Sequence, residues 1–95
     1  MTIGAIRITL LLHGCFSLKE KRARIRPILE RVKNKFHVAG AEVEYQNTHD
    51  AAQLAFVLVS SDERLVNRTL DQIVDFVESL GLAQIADSES EMMQW

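Results

Sequence analysis

Four stretches of the chain have the residue pattern of β-strands. In residues 2–12 every even position from 6 onwards is apolar, whereas the odd positions are mixed, so one strand face is expected in the core. Residues 38–46 alternate between small or apolar side chains and polar ones, as in a half-buried strand. Residues 53–59 (QLAFVLV) are apolar at nearly every position, and residues 82–86 form a last short apolar stretch. We predict a strand over each of these ranges.

Two other stretches have the period of an α-helix. In residues 17–36 the apolar side chains lie on one arc of a helical wheel drawn at about 100° per residue; they are Leu18, Ile25, Ile28, Leu29, Val32 and Phe36. Ser17 and Glu20 form an S-x-x-E capping box at its start. Ser60 and Glu63 have the same spacing before a second apolar stripe, which ends at Gly81. We predict two amphipathic helices.

Pro27 leaves two interpretations of the first helix. Proline removes a backbone donor and its ring clashes with the carbonyl four residues earlier. Pro27 lies on the outward side of the wheel, where one kinked helix can expose that carbonyl to water. The alternative is a turn over residues 18–25 followed by a helix that begins near Pro27.

The predicted order is strand, helix, strand, strand, helix, strand. Two β-α-β halves with right-handed crossovers form the ferredoxin-like α+β sandwich, an antiparallel sheet with two helices on one face. We therefore predict a single ferredoxin-like domain over residues 1–95. Residues 88–95 form an acidic C-terminal tail, which could add a further strand.

Composition places the protein among ordinary globular domains. The chain is 47% hydrophobic and 25% charged, and no apolar run approaches the roughly 18 residues of a membrane span. The N-terminus lacks the basic region and cleavage site of a secretory signal. A single cysteine cannot form an internal disulfide, which fits a reducing compartment. We expect a cytoplasmic protein that does not associate with a membrane.

Charge is distributed unevenly along the chain. Residues 17–36 contain eight of the eleven Lys and Arg residues against Glu20 and Glu30, which gives +6, so the other 75 residues sum to −8 in a chain of net charge −2. A cationic helix favours a polyanionic partner. The predicted phosphate contacts are Lys19, Lys21, Arg22, Arg24 and Arg26. The alternative is that these are solvated flanks whose stems cover the edge of the core.

The order of motifs resembles the YlxP-like family of small bacterial proteins, a domain of unknown function. The matching stretches are IGAIRITLLLHG, SLKEKR, NKFHVAGAEVEYQN, QLAFVLVSSD and LDQIVDFVE, which together span nearly the whole chain. The resemblance implies a ferredoxin-like fold and no established activity or catalytic residues. Members are often encoded beside translation and ribosome-maturation factors, which favours RNA or a ribosomal subunit as the partner.

The sequence lacks the features of two relatives in fold. RNA-recognition motifs need aromatic residues on the first and third strands to stack bases, but here the first strand has none and the third has Phe56 alone. Acylphosphatases need a glycine-rich loop with an anion-binding Arg between the first strand and the first helix. The connector here, His13-Gly14-Cys15-Phe16, has one Gly and no Arg. We predict neither activity.

Cys15 is the remaining candidate for chemistry. It precedes a helix start and lies near Lys19, a setting that can activate a thiol, and His13 is the nearest base. Isolated cysteines are mostly inert, however, and the three histidines and Cys15 lack the spacing of a zinc site. We therefore expect a non-enzymatic protein with no metal, cofactor or small-molecule substrate.

The strand at residues 53–59 also predicts an interface. Both of its faces are apolar, so one row must lie on the open face of the sheet, together with Ala5, Thr9 and Leu11. We expect a homodimer, through this face or through an edge strand, in which Arg7 is able to pair with Glu42 or Glu44. Alternatively, the C-terminal tail covers the face within one chain. The runner-up to RNA binding is thus a homodimeric interaction module whose basic helix meets an acidic protein.

Overall fold

The computed structural model describes all 95 residues, which form four strands and two helices. In chain order they are β1 (Thr2–Leu11), α1 (Leu18–Phe36), β2 (Ala39–Glu44), β3 (Ala51–Ser60), α2 (Glu63–Leu80) and β4 (Gln84–Gln94). The strands form one antiparallel sheet in the order β2-β3-β1-β4. This element order and topology confirm the predicted ferredoxin-like α+β fold.

The core lies between the sheet and the two helices. The even positions of β1 and β3 point into it because side chains alternate across a strand. They meet the apolar stripes of α1 and α2, as the sequence pattern predicts. The buried apolar residues of these four elements include Ile6, Ile8, Leu10, Leu54, Phe56, Ile25, Ile28, Val32, Val66, Leu70, Ile73 and Val77. Neither helix has the length and hydropathy that crossing a membrane would require.

A glycine allows α2 to lie close against the sheet. A Cβ atom on Gly4 of β1 would lie 2.4 Å from Cγ1 of Val66 and 3.3 Å from Cδ1 of Leu70. Such a contact is too short for two carbon atoms, so a side chain at this position would push α2 away from β1. The absence of a side chain at Gly4 therefore sets the distance between helix and strand.

The first helix is continuous through Pro27. Ser17 is its N-cap and its hydroxyl accepts a hydrogen bond from the Glu20 N–H at 3.1 Å, as predicted. In a standard capping box the Glu20 carboxylate would accept from the N–H of the N-cap residue, Ser17. Here it accepts from the N–H of the preceding residue, Phe16, at 2.9 Å. One helix therefore spans the whole basic stretch, and the alternative of a separate turn before Pro27 is wrong.

The N-cap of the second helix differs from the prediction. Ser60 is the last residue of β3, and the cap is Asp62, whose carboxylate accepts from the N–H groups of Arg64 at 3.0 Å and Leu65 at 3.3 Å. The Ser60 hydroxyl instead accepts from the N–H of Asp62 itself. The predicted C-terminus is confirmed, because Gly81 adopts a left-handed conformation with φ of 65°.

The acidic tail is itself the fourth strand. We predicted a short strand over residues 82–86 followed by a tail, but β4 pairs with β1 along its whole length, with a register shift between Thr9 and Leu10. At its end the N–H of Trp95 donates to the carbonyl of Met1 at 2.8 Å. The tail therefore extends the sheet at its edge and does not cover the open face.

Candidate nucleic-acid interface

The first helix lies over one half of the sheet. It packs against β2 and β3, whereas α2 packs mainly against β1 and β4. On the side of α1 that faces α2, the Lys35 ammonium lies 5.2 Å from the centre of the Phe76 ring. The opposite side of α1 lies above the edge strand β2. The five predicted cations have three different environments: one is buried, one is hydrogen-bonded to backbone carbonyls, and three are exposed.

Lys21 is a structural residue of the core edge. It is 1% exposed, and its Nζ donates hydrogen bonds to the carbonyls of Tyr45 at 2.5 Å and Thr48 at 2.7 Å. The Glu42 carboxylate on β2 lies 2.8 Å from the same nitrogen. With three acceptor oxygens around it and almost no solvent contact, the ammonium has no free side from which to contact a phosphate. It joins α1 to β2 and to the β2–β3 turn.

Arg24 also has a structural role. Its guanidinium donates to the carbonyl of His13 at 2.6 Å and to the carbonyl of Leu82 at 2.8 Å. These bonds join α1 to the β1–α1 connector and to the segment that leads into β4. Arg24 is partly exposed, but its donors are committed to the backbone, so it is a poor candidate for a phosphate contact.

The other three predicted residues lie together on an exposed side of the helix. Lys19, Arg22 and Arg26 are exposed, and their side chains form no salt bridge or hydrogen bond within the chain. Ala23 and Pro27 lie beside them and line the same shallow groove. We call Lys19, Arg22 and Arg26 the cationic stripe. Its members have the donors and the solvent access that binding an anion requires.

The position of Lys21 could have been recognised from the sequence. It precedes Ile25 by four residues and Ile28 by seven, so it falls inside the apolar arc of the helical wheel. A lysine at such a position is expected to be buried with partners or to extend its stem out to solvent. The acidic and carbonyl partners come from β2 and the β2–β3 turn, which no local pattern of α1 can reveal.

Two exposed aromatic side chains lie at the end of the molecule where α1 begins. Phe16, just before the N-cap, is 79% exposed, and Tyr45 follows β2. The connector and the turn that contain them are joined, because the N–H of Leu12 donates to the carbonyl of Asp50 and the imidazole of His49 lies 2.8 Å from the carbonyl of Cys15. Neither aromatic residue was among the predicted site residues.

Cys15 and His13 do not form a nucleophile–base pair. Cys15 is buried, and its thiol donates to the carbonyl of Ser17 over 3.6 Å. The imidazole of His13 is exposed and lies 2.5 Å from the side-chain oxygen of Gln84. No three His, Cys, Asp or Glu side chains converge in the way that holding a metal ion would need.

The open face of the sheet is partly apolar and uncovered. Val59 is 61% exposed and Met93 is 55% exposed, and both lie at the same end of the face. Arg7, on this face, forms a salt bridge with Glu89 of β4 at 2.6 Å. The pairing of Arg7 with Glu42 or Glu44 across a homodimer stays a prediction; within one chain Arg7 is paired with Glu89, and Glu42 is paired with Lys21.

Comparison with known proteins places the chain in a family. The family model described as a protein of unknown function, DUF503, matches residues 3–90. The uncharacterized protein YlxP of Bacillus subtilis (strain 168) is 35% identical over 77 residues, which cover 81% of this chain and 84% of that protein. The chain belongs to the DUF503 family, as the resemblance of its motifs predicted.

Solved structures share the fold at low sequence identity. SnoaB, a cofactor-independent oxygenase from Streptomyces nogalater, has a TM-score of 0.56 and 13% identity, with 99% of this chain and 92% of that chain covered. The de novo designed protein Foldit4 has a TM-score of 0.54 and 16% identity, with 99% and 97% covered. An oxygenase and a designed protein with one architecture indicate fold and nothing about activity.

Proposed function

We propose that this DUF503-family protein is a non-enzymatic RNA-binding protein that holds the RNA backbone along the cationic stripe. The observation that supports this proposal is the exposure of Lys19, Arg22 and Arg26 without any partner in the chain. Three of the five predicted contacts belong to this stripe. Lys21 and Arg24 do not, because their side-chain donors are hydrogen-bonded to backbone carbonyls of the protein. A ribosomal subunit is the source of RNA that the family resemblance favours.

The spacing of the stripe suits an extended polyanion. Lys19 and Arg22 are three residues apart and Arg22 and Arg26 are four apart, so neighbouring side chains begin about 5–6 Å from one another on one side of the helix. The stripe spans about two helical turns, roughly 10 Å along the axis. Contacts of this kind position a backbone and do not read its bases.

A cluster of acidic side chains lies at the edge of the sheet away from the stripe. The stripe lies on the helix above β2 and β3, whereas Asp87, Glu89 and Glu91 lie together on β4, at the opposite edge of the sheet. Three strand spacings of about 4.8 Å separate the edges, which exceeds the Debye length of about 8–10 Å at physiological salt. The acidic edge therefore repels a polyanion without cancelling the attraction of the stripe.

A matched pair of variants tests the proposal. We expect Lys19→Gln/Arg22→Gln to weaken binding of a labelled RNA at low salt by about tenfold, measured by fluorescence anisotropy. The control is Arg64→Gln/Arg68→Gln, which removes the same charge from exposed positions of α2 and should change binding much less. Equal loss in both variants would indicate a general charge effect, and no binding by the wild type would end the RNA hypothesis.

A second candidate function is a homodimeric interaction module, in which the stripe meets an acidic protein. The exposed Val59 and Met93 on the open face favour it, since the C-terminal strand leaves that face uncovered. We expect sedimentation at micromolar concentration to return twice the 10.8 kDa monomer mass, and Val59→Asp to shift the protein towards monomer. A wild type that stays monomeric at the highest attainable concentration would contradict the dimer.

We further propose that the protein acts in the cytoplasm without a cofactor. The burial of Cys15 and the pairing of His13 with Gln84 support the absence of thiol chemistry. A turnover of any substrate that the purified protein shows and Cys15→Ala lacks would contradict this part of the proposal.

A further inference from the structure

Phe16 is an exposed aromatic residue that has no role in the fold. It occupies the N′ position directly before the N-cap Ser17. An apolar N′ residue ordinarily packs against the residue at N4 and so fixes the entry of the chain into the helix. Here N4 is Lys21, which is buried and directed at the β2–β3 turn, and Phe16 is left 79% exposed. Packing therefore does not explain a large apolar side chain at this position.

The backbone nevertheless holds Phe16 in a defined place. Its N–H donates to the Glu20 carboxylate at 2.9 Å, and the next residue is fixed as the N-cap by the bond from Glu20 N–H to Ser17 Oγ. The preceding residue, Cys15, is buried and accepts a contact from His49 through its carbonyl. Because the backbone is already fixed, stacking of a planar group on Phe16 has only the side-chain torsions of the ring left to order.

Phe16 lies at one end of the cationic stripe. Lys19 follows it by three residues, and Arg22 and Arg26 continue along the helix. Phe16 also borders a hollow between the connector and the β2–β3 turn, whose polar lining residues are His13, His49 and Asp50. A row of cations that ends at an exposed ring combines the two elements of single-strand recognition, backbone attraction and base stacking.

We propose that Phe16 stacks on a base of single-stranded RNA whose backbone follows the cationic stripe. This inference rests on the proposed RNA-binding function and adds to it the kind of RNA. Bases in a duplex are stacked on each other and unavailable, whereas every unpaired base offers a face to an aromatic ring. The site therefore prefers single strands or loops, with little dependence on sequence.

The test compares two RNA forms and three proteins. The ligands are a labelled single strand of about 12 nucleotides, within the site size of small single-strand-binding folds, and the same strand annealed to its complement. The proteins are the wild type, Phe16→Ala and Phe16→Tyr. We expect Phe16→Ala to weaken single-strand binding by about tenfold, the loss of one base–aromatic stack, and to leave duplex binding unchanged. Phe16→Tyr should restore single-strand binding.

A spectroscopic variant detects stacking directly. In a Trp95→Phe background, Phe16→Trp places the protein's one tryptophan at the site, and stacking on a base should quench its fluorescence. If the wild type binds RNA but Phe16→Ala binds single strands equally well, the stacking role is wrong while the stripe hypothesis stands. If no protein binds either RNA, both fail. A Phe16→Ala effect on the oligomeric state alone would assign the ring to a contact between protein copies and overturn the inference.

Discussion

At the scale of single residues, charge in the sequence is a poor guide to which side chains are free. Five cations within eight positions of α1 were predicted to contact phosphates, and they divide between a buried ammonium, a guanidinium bonded to two carbonyls, and three exposed side chains. The wheel position of Lys21 indicates its burial, but the partners of Arg24 lie 11 and 58 residues away in the chain. Long-range partners of this kind are not visible in a local pattern.

Replacement of Lys21 should destabilise the protein strongly. In Lys21→Met the carboxylate of Glu42 and the carbonyls of Tyr45 and Thr48 lose their common cation. Removing one partner of a buried ion pair costs about 3–5 kcal/mol, and the 21% exposure of the Glu42 side chain lowers the expected loss to about 2–3 kcal/mol. Urea unfolding followed by circular dichroism measures this free energy.

The exposed Lys19 provides the control for this prediction. We expect Lys19→Met to change the free energy of unfolding by no more than about 0.5 kcal/mol, as is usual for exposed positions. The double variant Lys21→Met/Glu42→Leu should recover part of the loss, because it removes both charges together. Equal stability of Lys21→Met and Lys19→Met would show that the buried contacts contribute nothing measurable.

At the scale of elements, apolar periodicity predicted the helices and the inner strands β1 and β3 better than the edge strand β4. The period of two in β1 and the stripe of α1 exist because one face of each is buried, and burial selects apolar residues there. Most of β4 pairs at the sheet edge with both faces exposed, so its sequence, ADSESE, has no apolar alternation. Backbone pairing with β1 holds it in place, and such pairing leaves no pattern in side-chain polarity.

The end of α1 offers a change that should stabilise the fold. His37 adopts a left-handed conformation with φ of 55° at the C-cap, where L side chains are strained and glycine is not. We expect His37→Gly to raise the free energy of unfolding by about 0.5–1 kcal/mol, net of the entropy that glycine loses on folding. For a domain of this size, that is a rise of several degrees in Tm.

The interior of the same helix provides the matched control. Ala23 is exposed and helical, so Ala23→Gly should lower the free energy of unfolding by about 1 kcal/mol. If His37→Gly lowers stability in the same way, the gain from relieving the left-handed backbone does not exceed the entropic cost of glycine.

At the scale of the whole molecule, the order of elements was sufficient to predict the architecture. Once two β-α-β halves are recognised, short connections and right-handed crossovers leave few arrangements of a four-stranded sheet. The charge asymmetry between the first helix and the rest of the chain was also visible, at +6 against −8. Which part of that charge faces solvent depends on the packing of α1 over β2, and only the folded chain determines it.

The salt dependence of RNA binding should report how many cations of the whole molecule take part. Each phosphate neutralised on a single strand contributes a slope of about −0.7 to log affinity against log salt. Five contacts, as the sequence suggested, would give a slope near −3.5, whereas the three cations of the stripe give about −2. We expect the shallower slope, measured by anisotropy titrations over a range of salt concentrations.

Lys19→Gln/Arg22→Gln should bring the slope close to −0.7, and Arg64→Gln/Arg68→Gln should leave it near −2, because α2 lies over the other half of the sheet. A wild-type slope near −3.5 would mean that further cations, such as the exposed Arg31 and Lys35, contact the RNA. The binding site would then be larger than the cationic stripe.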